Sequence, residues 1–164
     1  DRVRGGVSAS TAHGVIQVDS ATGEVVAQTR DGSIKVGRAG GVQAFSASGT
    51  IYLVGSEGPL KASTNMGDIV AKVPASARLA SSDLYTGSGD ITIYLSPKLA
   101  LTVQAICGGP EGGLIISEFR DIPVYPWQGS GERRAQAGGV LNGGGPVLRL
   151  TARSGSIYIR RNSE

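Results

Sequence analysis

Two aspartates hold equivalent places in the sequence and are the first candidates for acid–base chemistry. Asp68 and Asp90 each directly follow a glycine and precede an isoleucine. Enzymes on parallel β-helices place several acidic groups in one groove, so the two aspartates could belong to such a groove. A calcium site needs about six to eight oxygen ligands, which is more than one aspartate per turn supplies. Aspartate also suits a tight turn, where it accepts hydrogen bonds from backbone N–H groups. We therefore predict a structural role for both.

The histidine, the serines and the cysteine lack the neighbours that nucleophilic or metal chemistry requires. His13 is the only histidine, so no Cys/His cluster with metal-ligand spacing exists. No serine lies in a Gly-x-Ser-x-Gly elbow between a strand and a helix. Cys107, which follows Ile106 and precedes two glycines, is expected to be a small apolar residue at a strand end. The sequence predicts no catalytic residue, no metal site and no cofactor.

Four tyrosines are the candidates for binding. Tyr52, Tyr85 and Tyr158 each follow an inward apolar residue, and Tyr94 lies at the next outward position of its own strand. Exposed rings on a flat sheet can stack on sugars or anchor a protein partner while the phenol finds a polar contact. Tyrosine is also a favourable residue for any half-exposed strand, so a purely structural role is the alternative. Whether the four share one face depends on the number of strands per coil.

These residues belong to an internal repeat of the form Gly-x-apolar-x-apolar. Glycines recur at 14, 23, 32, 41, 49, 58 and 67, with spacings of nine, nine, nine, eight, nine and nine residues. Each copy predicts a strand of about five residues with alternating side chains, next to a turn where glycine takes a positive φ. The clearest copies begin at Gly14, Gly32, Gly49, Gly67, Gly89 and Gly155.

The repeat predicts an all-β fold, a parallel β-solenoid over 1–164 as a single domain. An antiparallel meander also has short strands and tight turns, but only in a coil does each strand stack on its own counterpart, so that a fixed pattern is reused. We expect a right-handed coil, because parallel crossovers are overwhelmingly right-handed. Coils of eighteen residues with two faces and of twenty-seven with three both fit a nine-residue unit. Almost no helix is expected.

Two segments interrupt the repeat. The first is 72–82, and the second, about 107–146, is predicted to be a long irregular loop with Phe119, Val124 and Trp127 folded back over apolar surface. The repeat then returns at Val147 and closes at Ile157 to Ile159. The charged segments 1–6 and 160–164 are expected to cap the two ends of the solenoid and to discourage stacking of copies.

The charge balance points to no particular partner. A net charge of +3, from 16 basic and 13 acidic residues, is a mild excess that solubility alone explains, although arginines become denser after residue 130. We expect no nucleic-acid partner. No run of about 18 apolar residues occurs, so no transmembrane segment is predicted in this chain.

The segments GEVVAQTRDGSIKV, TGSGDITIYL and VLRLTARSGSIYIRR resemble the bacterial β-strand-repeat family known as adhesin-like proteins, a domain family of unknown function. The resemblance spans nearly the whole chain and includes the stretch Ile116 to Phe119. It implies a β-helix-like fold in an exported or envelope-associated bacterial protein, extracellular or in the cell envelope.

The leading expectation is thus a non-catalytic, adhesion-like surface binding module with a surface polysaccharide or another envelope protein as partner. A self-associating scaffold, a homo-oligomer, is the alternative, and an enzyme acting on polysaccharide is the third.

Overall fold

The computed structural model describes residues 2–109, 112–126 and 133–162, and these contain seventeen β-strands and no helix. The predicted all-β class is confirmed. The strands are β1 Arg2–Val3, β2 Val7–His13, β3 Ile16–Ala21, β4 Glu24–Asp31, β5 Ile34–Arg38, β6 Gly41–Ser48, β7 Ile51–Val54, β8 Leu60–Met66, β9 Ile69–Val73, β10 Ser82–Ser88, β11 Ile91–Leu95, β12 Leu101–Cys107, β13 Ile115–Ser117, β14 Val124–Pro126, β15 Ala135–Leu141, β16 Val147–Ser154 and β17 Ile157–Arg161.

From β1 to β14 successive strands alternate between two sheets that enclose one core. β15 and β16 stay in the second sheet, and β17 returns to the first. Sheet I has the order β1-β3-β5-β7-β9-β11-β17-β13, and sheet II has the order β14-β15-β12-β16-β10-β8-β6-β4-β2. All pairs are parallel except β12 with β15 and β14 with β15. Parallel pairing of every second strand excludes the antiparallel meander and agrees with a two-faced β-solenoid.

The core is built from residues that stack on their equivalents in neighbouring strands. On sheet I one isoleucine of each strand except β1 lies beside the next, and all but the two outermost of these isoleucines are fully buried. This column contains Ile16, Ile34, Ile51, Ile69, Ile91, Ile157 and Ile115. A β-branched side chain with one preferred rotamer packs well against identical neighbours. A repeated sequence therefore yields a repeated, close-packed interior.

One corner of the coils is made by a glycine and a buried hydroxyl. The glycine before each of β3, β5, β7, β9, β11 and β17 has a positive φ, 143° at Gly67 for example, and its own carbonyl faces the next glycine along the solenoid. Near the end of each of the sheet II strands β2, β4, β6, β8 and β10 a threonine or serine points inward. The Thr86 hydroxyl donates to the Gly67 carbonyl at 2.8 Å, and the Thr64 hydroxyl donates to the Gly49 carbonyl at 3.2 Å. We call Thr11, Thr29, Ser46, Thr64 and Thr86 the hydroxyl column.

The C-terminal strands are inserted inside the stack. β16 lies between β10 and β12, and β17 lies between β11 and β13, although β12 and β13 come earlier in the chain. The prediction that 160–164 caps the end of the solenoid is therefore wrong for Arg160 and Arg161, which belong to an interior strand. Their apolar neighbours Ile157 and Ile159 are fully buried, because they complete the core between two other coils.

The segment 107–146 is only partly the irregular loop that the sequence predicts. It contributes β13 to sheet I, and β14 and β15 form an antiparallel end to sheet II. Phe119 is buried as expected, whereas Val124 is exposed because it lies on the outermost strand, and Trp127 falls outside the described residues. At the end of sheet II, β15 thus runs against the direction of the parallel strands, and β14 beside it returns to that direction.

Candidate functional site

Three of the four tyrosines lie on the outer face of sheet I. Tyr52 and Tyr158 occupy one row of outward positions on β7 and β17, with Val70 and Thr92 between them. Their backbones are three strand spacings apart, about 14 Å. Tyr94 stands in the adjacent row, on β11 next to β17. We call the outward residues of β5, β7, β9, β11 and β17 the tyrosine face.

Tyr85 lies elsewhere. It belongs to β10 of sheet II, beside Ser63 of β8 and Thr151 of β16. With two sheets per turn, strands that are consecutive in the chain expose their outward residues on different faces. The structure therefore brings Tyr94 and Tyr158 together, places Tyr52 farther along the same face, and does not bring Tyr85 to them.

Cationic side chains accompany two of the rings on the tyrosine face. The Lys35 ammonium lies 5.7 Å from the centre of the Tyr52 ring, and the Arg160 guanidinium lies 5.7 Å from the centre of the Tyr158 ring. Arg160 also forms an ion pair with Glu118 at 3.3 Å. Cation–π contacts of this kind orient the ring and keep a positive charge beside it.

A surface cavity of about 560 Å³ borders the first of these pairs. Its wall includes Gln17, Lys35, Gly37, Tyr52 and Val54, together with Asp19. Gly37 has no side chain where its neighbours in the row have one, and this leaves the depression between Asp19 and Val54. The Gln17 amide donates to the Asp19 carboxylate at 2.9 Å. The cavity thus combines an aromatic ring, an ammonium group, an amide and a carboxylate with apolar walls.

The structure reveals an exposed ring that the sequence interpretation missed. Phe45 of β6 is 60% exposed on the outer face of sheet II, with Ser63 of the next strand between it and Tyr85. The signal was present: in the weaker repeat copy at Gly41, Val42 and Ala44 point inward, so the alternation turns Phe45 outward.

The two aspartates have the structural role that the sequence predicts. The Asp68 carboxylate accepts a hydrogen bond from the Asp90 backbone N–H at 2.8 Å. The Asp90 carboxylate accepts one from the Ser156 backbone N–H, also at 2.8 Å. Each aspartate thereby joins its own turn to the equivalent turn of the next coil. These two hydrogen bonds account for the presence of aspartate at both positions through their contribution to the fold.

The remaining candidates for chemistry are separated from one another. His13 is exposed, and its imidazole lies 3.3 Å from the Asp31 carboxylate on the neighbouring strand. Cys107 is fully buried at the end of β12, and this burial raises the pKa of its thiol. Within 2–109, 112–126 and 133–162, no three metal-ligating side chains come together. The same residues include no helix long and apolar enough to cross a membrane.

No family model matches the chain, no curated protein is similar to it, and no solved structure matches its fold. The resemblance to the β-strand-repeat family therefore stays a prediction, and the outer faces of the two sheets are the basis for any functional proposal.

Proposed function

We propose that this chain is a non-catalytic binding module that attaches to an anionic surface polysaccharide through the tyrosine face of sheet I. The observation that carries the proposal is the pairing of exposed aromatic rings with cations, Tyr52 with Lys35 and Tyr158 with Arg160. A tyrosine ring offers an apolar surface to the C–H face of a sugar, and its phenol offers a hydrogen bond to the sugar hydroxyls.

The charge of this face supports an anionic ligand. The outward positions of β5, β7, β9, β11 and β17 carry the cations Lys35, Lys72 and Arg160 and no acidic residue. Acidic residues appear only on the flanking strands, as Asp19 on β3 and as Glu118 after β13, where it pairs with Arg160. A carboxylate, sulfate or phosphate on a polymer would meet Lys35 and Lys72, whose paired residues on the neighbouring strands are uncharged. Asp19 on the flanking strand β3 is the acidic residue that borders the cavity beside Lys35.

The shape of the face suits a polymer more than a small molecule. Five adjacent parallel strands present a continuous outer surface, with Tyr52 and Tyr158 about 14 Å apart along it. A chain of several sugars can contact both rings at once, so weak contacts add within one molecule. With the family resemblance, this supports an adhesion-like role in the bacterial envelope or outside the cell. The right-handed sense of the coil stays a prediction within this picture.

The test is a binding screen of the intact chain against anionic and neutral polysaccharides, followed by titration of each ligand found. We expect saturable binding to an anionic polymer, about tenfold weaker in Tyr52→Ala and in Tyr158→Ala, a loss of about 1.4 kcal/mol each. Met66→Ala, which removes an exposed apolar side chain at the end of β8 in sheet II, is the matched control and should bind normally.

Salt dependence gives an independent readout of the cations. The affinity should fall as ionic strength rises, because exposed charges are screened beyond a Debye length of about 8 Å at 0.15 M. Lys35→Gln should weaken both the binding and this dependence. The proposal would be overturned if the affinity changed neither with ionic strength nor in the two tyrosine variants. It would also be overturned if no polysaccharide bound and an envelope protein bound the same face.

Self-association is the second candidate, favoured by one observation. β2, a strand of seven residues, is the last strand of sheet II and pairs only with β4 among the described residues. A free strand edge is a template for pairing with another chain. Light scattering should then show a mass that grows with concentration, and Ser10→Lys on β2 should return it to that of one chain. A constant mass in the unmodified protein would remove this candidate.

A further inference from the structure

The outer face of sheet II carries a row in which large apolar and small hydroxyl side chains alternate. From β6 to β12 the row reads Phe45, Ser63, Tyr85, Thr151 and Ile106, one residue from each of five adjacent parallel strands. We call it the ring row. Its large members recur at every second strand, about 9.6 Å apart.

The first two large members of the row enclose a cleft. Phe45 and Tyr85 stand on either side of Ser63, and the space between them measures about 190 Å³. Its lining also includes Gln43, Lys61 and Asp83, which occupy the adjacent outward row of the same three strands. The cleft thus has apolar walls, a hydroxyl at its floor, and an amide, an ammonium and a carboxylate along one edge.

Folding does not account for the exposure of Phe45. Its neighbours in the row are Gln28 and Ser63, which supply little apolar cover, and the phenyl group stays 60% exposed. Single exposed apolar side chains are common on proteins, but Phe45 shares its cleft with the Tyr85 ring and with Gln43, Lys61 and Asp83. An exposed apolar patch rimmed by polar side chains is typical of an interaction surface.

The charges beside the cleft favour a neutral ligand. Lys61 and Asp83 are opposite each other on β8 and β10, so their charges compensate. In this respect the ring row differs from the tyrosine face, where no acidic residue is paired with Lys35 or Lys72 on a neighbouring strand. An anionic ligand would meet Asp83 next to Tyr85, and a cationic ligand would meet Lys61 next to Phe45.

We propose that the ring row is a second binding site, for a neutral, extended β-linked glycan. A pyranose ring has apolar C–H faces and a hydroxyl rim, which match the aromatic walls and the polar edge of the cleft. An extended β-linked chain repeats its orientation with every disaccharide, and the length of that unit is comparable with two strand spacings. Phe45 and Tyr85 therefore contact equivalent faces of the chain, with Ser63, Gln43, Lys61 and Asp83 near its hydroxyls.

This site is separate from the one on sheet I and does not depend on it, so the two proposals can fail independently. The probes are linear β-1,4-linked hexasaccharides of glucose and of N-acetylglucosamine, titrated into the intact protein by calorimetry and by NMR. We expect at least one to bind. Its disaccharide should bind at least tenfold more weakly, because equivalent faces recur on the first and third sugars of the chain, and a disaccharide offers only one of them to the two rings.

Three substitutions test the role of the row. Phe45→Ala should weaken hexasaccharide binding at least tenfold, and Ser63→Tyr, which fills the cleft, should abolish it. Tyr85→Phe keeps the ring and should retain binding within about threefold. Tyr52→Ala on sheet I is the matched aromatic control and should leave this affinity unchanged. Thermal unfolding of each variant shows whether it folds. If Ser63→Tyr does not fold, Phe45→Ala by itself tests the proposal, because the Phe45 side chain is mostly exposed and its removal should not disturb folding.

The proposal is overturned if neither hexasaccharide binds, or if binding survives both Phe45→Ala and Ser63→Tyr in folded protein. It is also overturned if Phe45 serves contact between copies, which light scattering would show as a concentration-dependent mass lost in Phe45→Ala. Binding lost in Tyr52→Ala but not in Phe45→Ala would move the neutral glycan to sheet I and leave the ring row without a ligand.

Discussion

The turns of the regular coils and those of the C-terminal coils occupy one continuous stack but are built differently. From β2 to β10 the inward position before the glycine turn holds a hydroxyl, and Thr64 and Thr86 use it to bond a glycine carbonyl of the preceding turn. In β16 and β12 the same buried position holds Ala152 and Cys107. The hydroxyl column thus ends where the inserted strands begin.

This difference shows what each region relies on. In the regular coils the corner is held by polar bonds that recur with the sequence repeat. In the C-terminal coils the corner is apolar, and order comes from the position of β16 and β17 between earlier strands and from side chains such as Asp90, which bonds the Ser156 backbone. β16 and β17 are paired on both sides, as β4 to β10 are, so the two regions differ in the chemistry of the corner and not in the number of neighbouring strands.

The largest expected effect is at the glycines that both regions share. In Gly67→Ala the new Cβ would overlap the Gly49 carbonyl, in a backbone with φ of 143°. We expect a loss of at least about 3 kcal/mol of unfolding free energy, or failure to fold. Gly55→Ala, with φ of 88° and open space around it, is the control and should cost only about 1–2 kcal/mol. Equal losses in urea unfolding would contradict the tight glycine stack.

The next effect separates satisfied from unsatisfied members of the hydroxyl column. Thr86→Val removes the donor to the Gly67 carbonyl while keeping the side-chain shape, and it should cost about 1–3 kcal/mol. The buried Thr29 hydroxyl makes no hydrogen bond with the residues that the structure describes. Thr29→Val should therefore be neutral or slightly stabilising in the same unfolding experiment. If both variants lose the same free energy of unfolding, the hydroxyl column contributes through packing and not through its hydrogen bonds.

The cysteine of the C-terminal coils should make stability depend on pH. Burial raises the pKa of the Cys107 thiol in the folded state, so the unfolded chain ionises first as pH rises through about 8.5. The stabilisation is full below that pH and declines above it by at most about 1.4 kcal/mol per pH unit. Unfolding at pH 7 and pH 9.5 should show a steeper decline in the unmodified protein than in Cys107→Ala. Parallel declines would mean that the thiol ionises equally in both states.

The smallest effect would extend the polar corner into the C-terminal region. Ala152 pairs with Thr86 and lies one coil beyond it, so by the same geometry a hydroxyl at 152 would reach the Gly89 carbonyl. Ala152→Ser should stabilise by up to about 1 kcal/mol, measured as a shift of the urea midpoint. Ala9→Ser, at an inward position of the edge strand β2 with no such carbonyl in register, is the comparison and should not stabilise. A destabilised Ala152→Ser would show that the apolar corner leaves no room for a hydroxyl.

The regular coils could be predicted in some detail from the sequence. The spacing of the glycines marks the turns, because a positive φ is costly for any side chain, and the alternation after each glycine assigns Ile34 and Val36 to the core and Lys35 to solvent. The hydroxyl column also has a sequence pattern, since a Thr or Ser stands three residues before each of Gly32, Gly49, Gly67 and Gly89. That these hydroxyls would form a buried column was not predicted from the sequence.

The candidate sites were only half predictable. Alternation shows that Tyr52 and Tyr158 point outward, but not that they share a row, since that depends on two sheets per coil and on where β17 enters the stack. The cleft beside Phe45 has no local signal at all. Ser63 and Tyr85 lie near it only because β6, β8 and β10 are adjacent in sheet II.

In the regular coils the sequence by itself determined the strands, the turn positions and the side of the sheet that each residue faces, because these follow from backbone geometry within a few residues. It did not determine β13, β14 and β15, which lie where it predicts an irregular loop. The tertiary structure alone decided that the final repeat copy, which looks like the others, lies between β11 and β13, and which outward side chains became neighbours. Strand pairing joins residues far apart in the chain, and any buried isoleucine of the column is chemically an equivalent partner for Ile157. Only the packing of the complete chain selects among them.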